Sequence, residues 1–218
     1  MKTLNTPEWI SHRGQAQVWP ENTKEAFDEA VAQGFERLET DLRVTRDGHV
    51  VLCHDPSLSR LGGPSTSIFE MTRKEVEKVS LEKSCKVLFL DNFISLYRDK
   101  NWIFDIKPEQ GHKTIEALWK LMHRNNDLSL LTKKIWFLLW SRRQAFFLKD
   151  KVPGATLLAS KWECWQAGLS AICGVPFLGG IKKGVYYGLP PKLGGLNVYT
   201  KAIVARYRKY GGKLIAYL

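Results

Sequence analysis

Between Trp9 and Tyr217, short apolar runs alternate with stretches in which apolar residues recur every three or four positions. The runs fall at residues 9–11, 37–44, 102–108, 134–140, 155–160, 185–188, 195–198 and 214–217, which predicts about eight strands. Helical spacing predicts helices over residues 23–33, 90–97, 112–124, 142–149, 162–171 and 201–210. Strands joined through intervening helices lie parallel. About eight of them in 218 residues suit an α/β fold of the (β/α)8 TIM-barrel kind, which runs from about 200 residues upward. A doubly wound sheet is the competing arrangement. The sequence stops on its last strand, so a barrel of this chain is expected to lack the closing helix. One domain, residues 1–218, is expected, with a short insertion at about 58–90 near the mouth.

Local signals support these bounds. Asn22 reads as the cap of the first helix, with Glu25 completing a capping box and Gly34 ending it. Ala26, Phe27, Ala30 and Val31 form its apolar stripe. Asp47-Gly48 is a turn signal that sends residues 50–53 back along the second strand. Residues 58–67, with Gly62-Gly63-Pro64, read as a loop, and Thr72 opens a short helix to about residue 79.

The polar residues within this frame carry the chemistry. Glu39 and Asp41 are two apart, so on a strand both leave from one face. Two ionised acids that close on a buried element call for a cation. Asp105, near the end of the 102–108 run, makes a third acid, and an all-oxygen set points to Mg²⁺ or Ca²⁺, not zinc. Each acid alone reads more simply as a surface carboxylate or an ion-pair partner; the trio favours metal. His12 and His54 stand at strand ends, and imidazole as a side chain is suited to general acid–base work near neutral pH. A lone histidine is more often structural, but two beside an acid cluster favour the chemical reading. Arg13 and Lys107 supply positive charge that could meet an anionic group, and the alternative for both is an ordinary ion pair.

In order along the chain stand His12-Arg13-Gly14, Pro20-Glu21-Asn22-Thr23, Glu39-x-Asp41, Thr45-x-Asp47-Gly48 and His54-Asp55. This series resembles the glycerophosphodiester phosphodiesterase family, clearly over residues 10–61 and more loosely beyond. The resemblance implies a TIM barrel that hydrolyses glycerophosphodiesters to glycerol 3-phosphate and an alcohol. It implies metal ligands at Glu39, Asp41 and Asp105, the third being Asp where the family usually carries Glu. It implies acid–base roles for His12 and His54, with the substrate's own glycerol hydroxyl attacking first to give a cyclic phosphate. Arg13 and Lys107 become substrate-binding groups, and Glu21 and Asp55 supporting ones. Tyr217 falls where the family usually has a Trp beside the glycerol, with ordinary core as its alternative; Trp140-Ser141 corresponds to a strand end at the pocket.

Composition narrows the remaining classes. No N-terminal apolar run marks a leader, and the longest apolar stretch, residues 135–140, is too short to cross a bilayer. Cys53, Cys85, Cys164 and Cys173 are scattered, as expected of reduced thiols in a cytoplasmic protein. The net charge of +11 suits an anionic substrate or membrane surface, and no nucleic-acid motif accompanies it. Three readings stand: a soluble-diester hydrolase; a lysophospholipase D-type enzyme at a membrane surface, using Trp162, Trp165, Tyr186, Tyr187, Lys182, Lys183 and the basic 201–210 helix; and a weakly active or non-catalytic phosphodiester-binding barrel.

Overall fold

The computed structural model describes residues 8–217 apart from 176, 178, 179, 190, 191, 194 and 198. The N-terminal segment read above as free of an apolar run lies outside the described residues, except for Glu8. So do Val198, the expected end of the strand at 195–198, and the two prolines of the loop before it. The chain forms two compact units, residues 11–156 and residues 1–10 with 157–218.

In the first unit the centre is β2 (Arg37–Val44), whose eight residues are all buried. Parallel to it run the end of β1 (Glu8–His12) on one side and β4 (Asn101–Ile106) on the other, followed by β5 (Ile135–Leu139). The last three residues of β2 pair antiparallel with β3 (Val50–Leu52) through the predicted Asp47-Gly48 turn. The helices α1 (Lys24–Ala32), α3 (Leu90–Leu96), α4 (Gly111–Arg124) and α6 (Arg142–Lys151) match the predicted periods within a residue or two. Periodicity missed the single turn α5 (Leu130–Lys133), which is too short to show a period.

Aromatic packing holds these elements together. Phe93 of α3 lies against Phe27 of α1, with ring centroids 4.9 Å apart, and against Tyr97, Trp102 and Phe104. Phe104 continues the cluster to Phe137 of β5. Burying such rings supplies most of the driving force for a core of this size. The buried Arg37 is accommodated by the face of Trp136, 3.5 Å from its guanidinium carbon. Residues 58–89 pack with Val51 and Cys53 into a separate small core of Leu58, Ile68, Met71, Val76, Leu81, Cys85 and Phe89, with the helix α2 (Arg73–Glu77) capped by Thr72 and Glu75.

In the second unit, residues 8–10 of β1 pair with β10 (Lys213–Tyr217), which pairs with β7 (Tyr186–Gly188), all parallel. Ala167 and Ala171 of α7 (Lys161–Ile172) and Ile203 and Tyr207 of α8 (Lys201–Lys209) share one core cluster with Tyr187 and Leu214. Two expectations are corrected here. Leu196–Asn197 pairs antiparallel with Lys192–Leu193, so the 195–198 run is half of a small hairpin (β8 and β9) and not a crossover strand. The 155–160 run shortens to β6 (Thr156–Leu157), because Ser160 turns to cap α7. Of the aromatics assigned to an interface, Tyr187 is buried, while Trp162 and Trp165 are exposed.

Ser160 and Glu163 cap α7 reciprocally, and Lys182 Nζ lies 2.6 Å from Glu163 Oε1. Burial raises the Glu163 carboxyl, but Lys182 and the Ser160 donors outweigh it and bring it down to about 2. A folded-state value below the usual one stabilises the fold above about pH 4.5, and that contribution is lost as pH falls towards 2. Glu163→Gln is therefore expected to cost about 1 kcal/mol at pH 7, after allowance for solvent screening. Urea titrations of both proteins should show the gap narrowing from about pH 4.5 and closing towards pH 2; a pH-independent gap would contradict this origin.

Candidate active site

All of the site described here lies within the 11–156 unit. Parallel pairing sets its layout. His12 is in register with Glu39, and Asp41 with Asp105, so acids from adjacent strands stand side by side on one face. The strand β2 runs on to Val44, but β1 ends beside Glu39 and β4 ends one residue beyond Asp105. The extension is covered by antiparallel β3, so the acids still open at the ends of their parallel neighbours.

Glu39, Asp41 and Asp105 are buried, and each offers an oxygen within 4.8 Å of the others. Two cations meet them. Lys107 Nζ lies 2.7 Å from both Asp41 Oδ1 and Asp105 Oδ2, and Arg13 Nε lies 3.0 Å from Asp41 Oδ2. Asn22 Nδ2 donates to Asp41 Oδ2 at 2.9 Å, and Trp140 Nε1 donates to Asp105 Oδ1 at 2.6 Å. Glu39 is less well served: its Oε2 makes no hydrogen bond, and the nearest cationic candidate, His12 Nε2, is 3.8 Å away.

The protonation of the cluster follows from this arrangement. Burial raises Glu39 well above the usual carboxylate range, and the charges of Asp41 and Asp105 push it further. Burial would raise Asp41 too, but Lys107, Arg13 and the Asn22 amide hold it low. Asp105 remains raised by burial despite Lys107. Burial lowers Lys107, yet Asp41 and Asp105 reverse the shift and keep it charged. Burial and the charge of Arg13 lower His12 to about 4, so its ring is neutral at pH 7 and able to accept a proton. An orphaned buried carboxylate oxygen beside two more acids is an all-oxygen donor set fit for a hard divalent cation.

The loop bearing Arg13 is shaped for this contact. Arg13 takes φ 63° and donates its backbone N–H to Glu39 O, and Gly14 follows at φ 80°. A Cβ on Gly14 would lie 2.6 Å from Ala26 Cβ, so only glycine lets the loop pass α1. Asn22 is not the helix cap expected of it. Thr23 caps α1, and Asn22, at φ 60° and buried, spends its side chain on Asp41 and on Thr40 Oγ1.

The second histidine is held from several sides. Its Nδ1 lies 2.7 Å from Asp55 Oδ1, and Arg43 donates twice to its carbonyl, at 3.1 and 2.7 Å. The buried Cys53 thiol, pushed up to about 12 by burial, donates to Asp55 O. Glu21 receives Arg13 Nη1 at 3.3 Å and Arg60 Nη2 at 2.6 Å, and Arg60 Nε reaches Asp55 Oδ2 at 2.6 Å. The expected group thus falls into two clusters, one around Asp41 and one around His54, joined through Glu21 and Arg60. Tyr217 lies on β10 of the other unit. Ser141 caps α6 in a capping box with Gln144. Sequence reasoning missed Asn22 as a carboxylate partner, and it missed Arg43 and Arg60 altogether.

The chain is similar in sequence and in fold to known phosphodiesterases. A glycerophosphodiester phosphodiesterase of Caldanaerobacter subterraneus subsp. tengcongensis is 31% identical over 118 residues, which is 51% of this chain. That stretch spans about half (47%) of the relative's own length. Among solved structures, the glycerophosphoryl diester phosphodiesterase domain of a Mycobacterium tuberculosis protein superposes with a TM-score of 0.76 at 15% identity, over 95% of this chain and 86% of that one. An Oleispira antarctica phosphodiesterase solved with its product sn-glycerol-3-phosphate gives 0.66 at 16%, over 97% and 92%. These likenesses establish the fold class as the TIM barrel. Residues 12–149 match the glycerophosphoryl diester phosphodiesterase family, and the chain belongs to that family.

Proposed function

We propose that the protein is a metal-dependent phosphoric diester hydrolase that releases an alcohol from a glycerophosphodiester and leaves glycerol 3-phosphate. The observation that carries this reading is the meeting of three buried acids with Lys107 and Arg13 beside a neutral His12. A diester is itself an anion, and a pocket of acids alone would repel it; the two fixed cations and a bound divalent ion reverse that. Glu39, Asp41 and Asp105 would hold Mg²⁺ or Ca²⁺, which when bound polarises a phosphoryl oxygen and stabilises the charge that develops on it. Arg13 and Lys107 orient the remaining phosphoryl oxygens. His12 and His54 divide the proton transfers, one taking the proton of the attacking hydroxyl and the other supplying the leaving alkoxide. Asp55 fixes the ring of His54, and Glu21 fixes the side chain of Arg13.

One surface feature favours action on lysophospholipids at a membrane as a second reading. Trp162, Trp165 and Leu169 stand 69%, 49% and 55% exposed at helical spacing on α7, with Phe177 exposed just beyond it. Glu163 is the only acid in the sequence after Asp150, so this apolar stripe belongs to a strongly basic segment. Indoles on such a segment suit an anionic interface.

Three outcomes test these readings. Glycerophosphocholine with Mg²⁺ or Ca²⁺ should yield choline, and a chelator should stop it; His12→Ala and His54→Ala should each lower kcat by at least about a hundredfold while the fold is retained. Absence of turnover with every diester and both metals would instead favour a binding protein. Lys107→Met should cost the metal-free protein about 3–5 kcal/mol, because it leaves Asp41 and Asp105 without their shared cation. Added Mg²⁺ or Ca²⁺ should then raise its melting temperature more than that of the wild type, and equal shifts would count against the shared site. On anionic vesicles the wild type should co-sediment at low salt, and a Trp162→Ser, Trp165→Ser, Leu169→Ser triple variant should not. No binding by the wild type would remove the membrane reading.

A further inference from the structure

We infer that Arg60 is a positioning residue: by gripping Glu21 and Asp55 at once, it fixes the His54 ring relative to the Arg13 that faces Asp41. The chain of contacts is continuous. Asp41 Oδ2 meets Arg13 Nε at 3.0 Å, and Arg13 Nη1 reaches both oxygens of Glu21 at 3.3 Å. Arg60 Nη2 and Nη1 take the same two oxygens at 2.6 and 3.3 Å, while its Nε donates to Asp55 Oδ2 at 2.6 Å. The other Asp55 oxygen lies 2.7 Å from His54 Nδ1. The planar fork of a guanidinium can meet one carboxylate bidentately and a second through Nε, which the single ammonium of lysine cannot reproduce.

Each end of this bridge controls one functional side chain. Asp55 has two oxygens, and Arg60 occupies one, so the other is presented to the imidazole. An acceptor at Nδ1 holds the proton there and leaves Nε2 with its lone pair for proton transfer. Glu21 is shared by two arginines, and its placement between them sets the direction from which Arg13 approaches Asp41. Both Glu21 and Asp55 keep Arg60 protonated.

The backbone of Arg60 is itself fixed. It sits in a 3-10 turn, Ser59–Leu61, whose preceding residue Leu58 is buried in the apolar core under the insertion. Gly62, at φ 84°, closes the turn with its N–H to Ser59 O at 3.2 Å. Half of the Arg60 side chain is exposed, so its ion pairs add little to global stability. Its effect falls instead on where the two carboxylates point. The insertion at 58–90 thereby gains a role: it carries the residue that ties the two clusters of the site together.

The role in turnover rests on the hydrolase reading above, so the test has one arm that does not. In that arm, ¹⁵N NMR of the His54 imidazole should show the Nδ1–H tautomer in the wild type and a mixture in Arg60→Met. In the other, Arg60→Met should lower kcat for glycerophosphocholine about tenfold or more, with its melting temperature within a few degrees of the wild type. Arg60→Lys should recover only part of the loss, and millimolar guanidinium should partly rescue Arg60→Met. An unchanged His54 tautomer, or a loss of rate matched by a loss of folded protein, would overturn the inference. If the wild type turns over no diester, the hydrolase reading fails, and the imidazole signals alone decide the role of Arg60.

Discussion

Three carboxylates buried within 4.8 Å of one another are the constraint around which the 11–156 unit is built. Each ionised acid removed from water costs several kcal/mol unless a counter-charge meets it. Lys107 answers for Asp41 and Asp105, and Arg13 adds a second cation to Asp41, so the balance is one positive charge short. Glu39 carries the deficit, and burial and its neighbours push it towards the neutral form. A fold optimised only for stability would place an apolar residue there. Retaining an acid with an unbonded oxygen makes sense as a cation site.

The rest of the unit serves to hold that cluster steady. Parallel register puts Asp41 beside Asp105, and the aromatic packing of Phe27, Phe93, Trp102, Phe104 and Phe137 locks helices and strands behind it. Positive-φ residues cluster on the approach, with Arg13, Gly14 and Asn22 all in the left-handed region. For non-glycine residues that conformation is costly, and here the contacts of both Arg13 and Asn22 with Asp41 offset it.

Much of this was legible in the sequence, and the boundary between what was and what was not has a physical cause. Strand and helix periods depend on neighbours a few residues away, so β2, β4, α4 and α8 could be located from local pattern. The shared face of Glu39 and Asp41 follows from the two-residue repeat of a strand. The role of Asn22 could not be found this way: Asn22 and Thr23 are both good caps, and the choice is made by Asp41, nineteen residues on. Arg60 reaches Glu21 across thirty-nine positions from a loop without period, and nothing local distinguishes it from a solvated arginine. The spacing of Trp162 and Trp165 fits a buried or an exposed helical stripe equally well, and the choice is made by Ala167, Gly168 and Ala171, the face that α7 buries.

The acid cluster as a cation site is tested most directly by calorimetric titration of the metal-free protein with Mg²⁺ and with Ca²⁺, alongside Glu39→Gln. One ion bound per chain, with binding lost or greatly weakened in Glu39→Gln, is the expected result. No saturable binding of either ion, or binding that Glu39→Gln leaves unchanged, would contradict it.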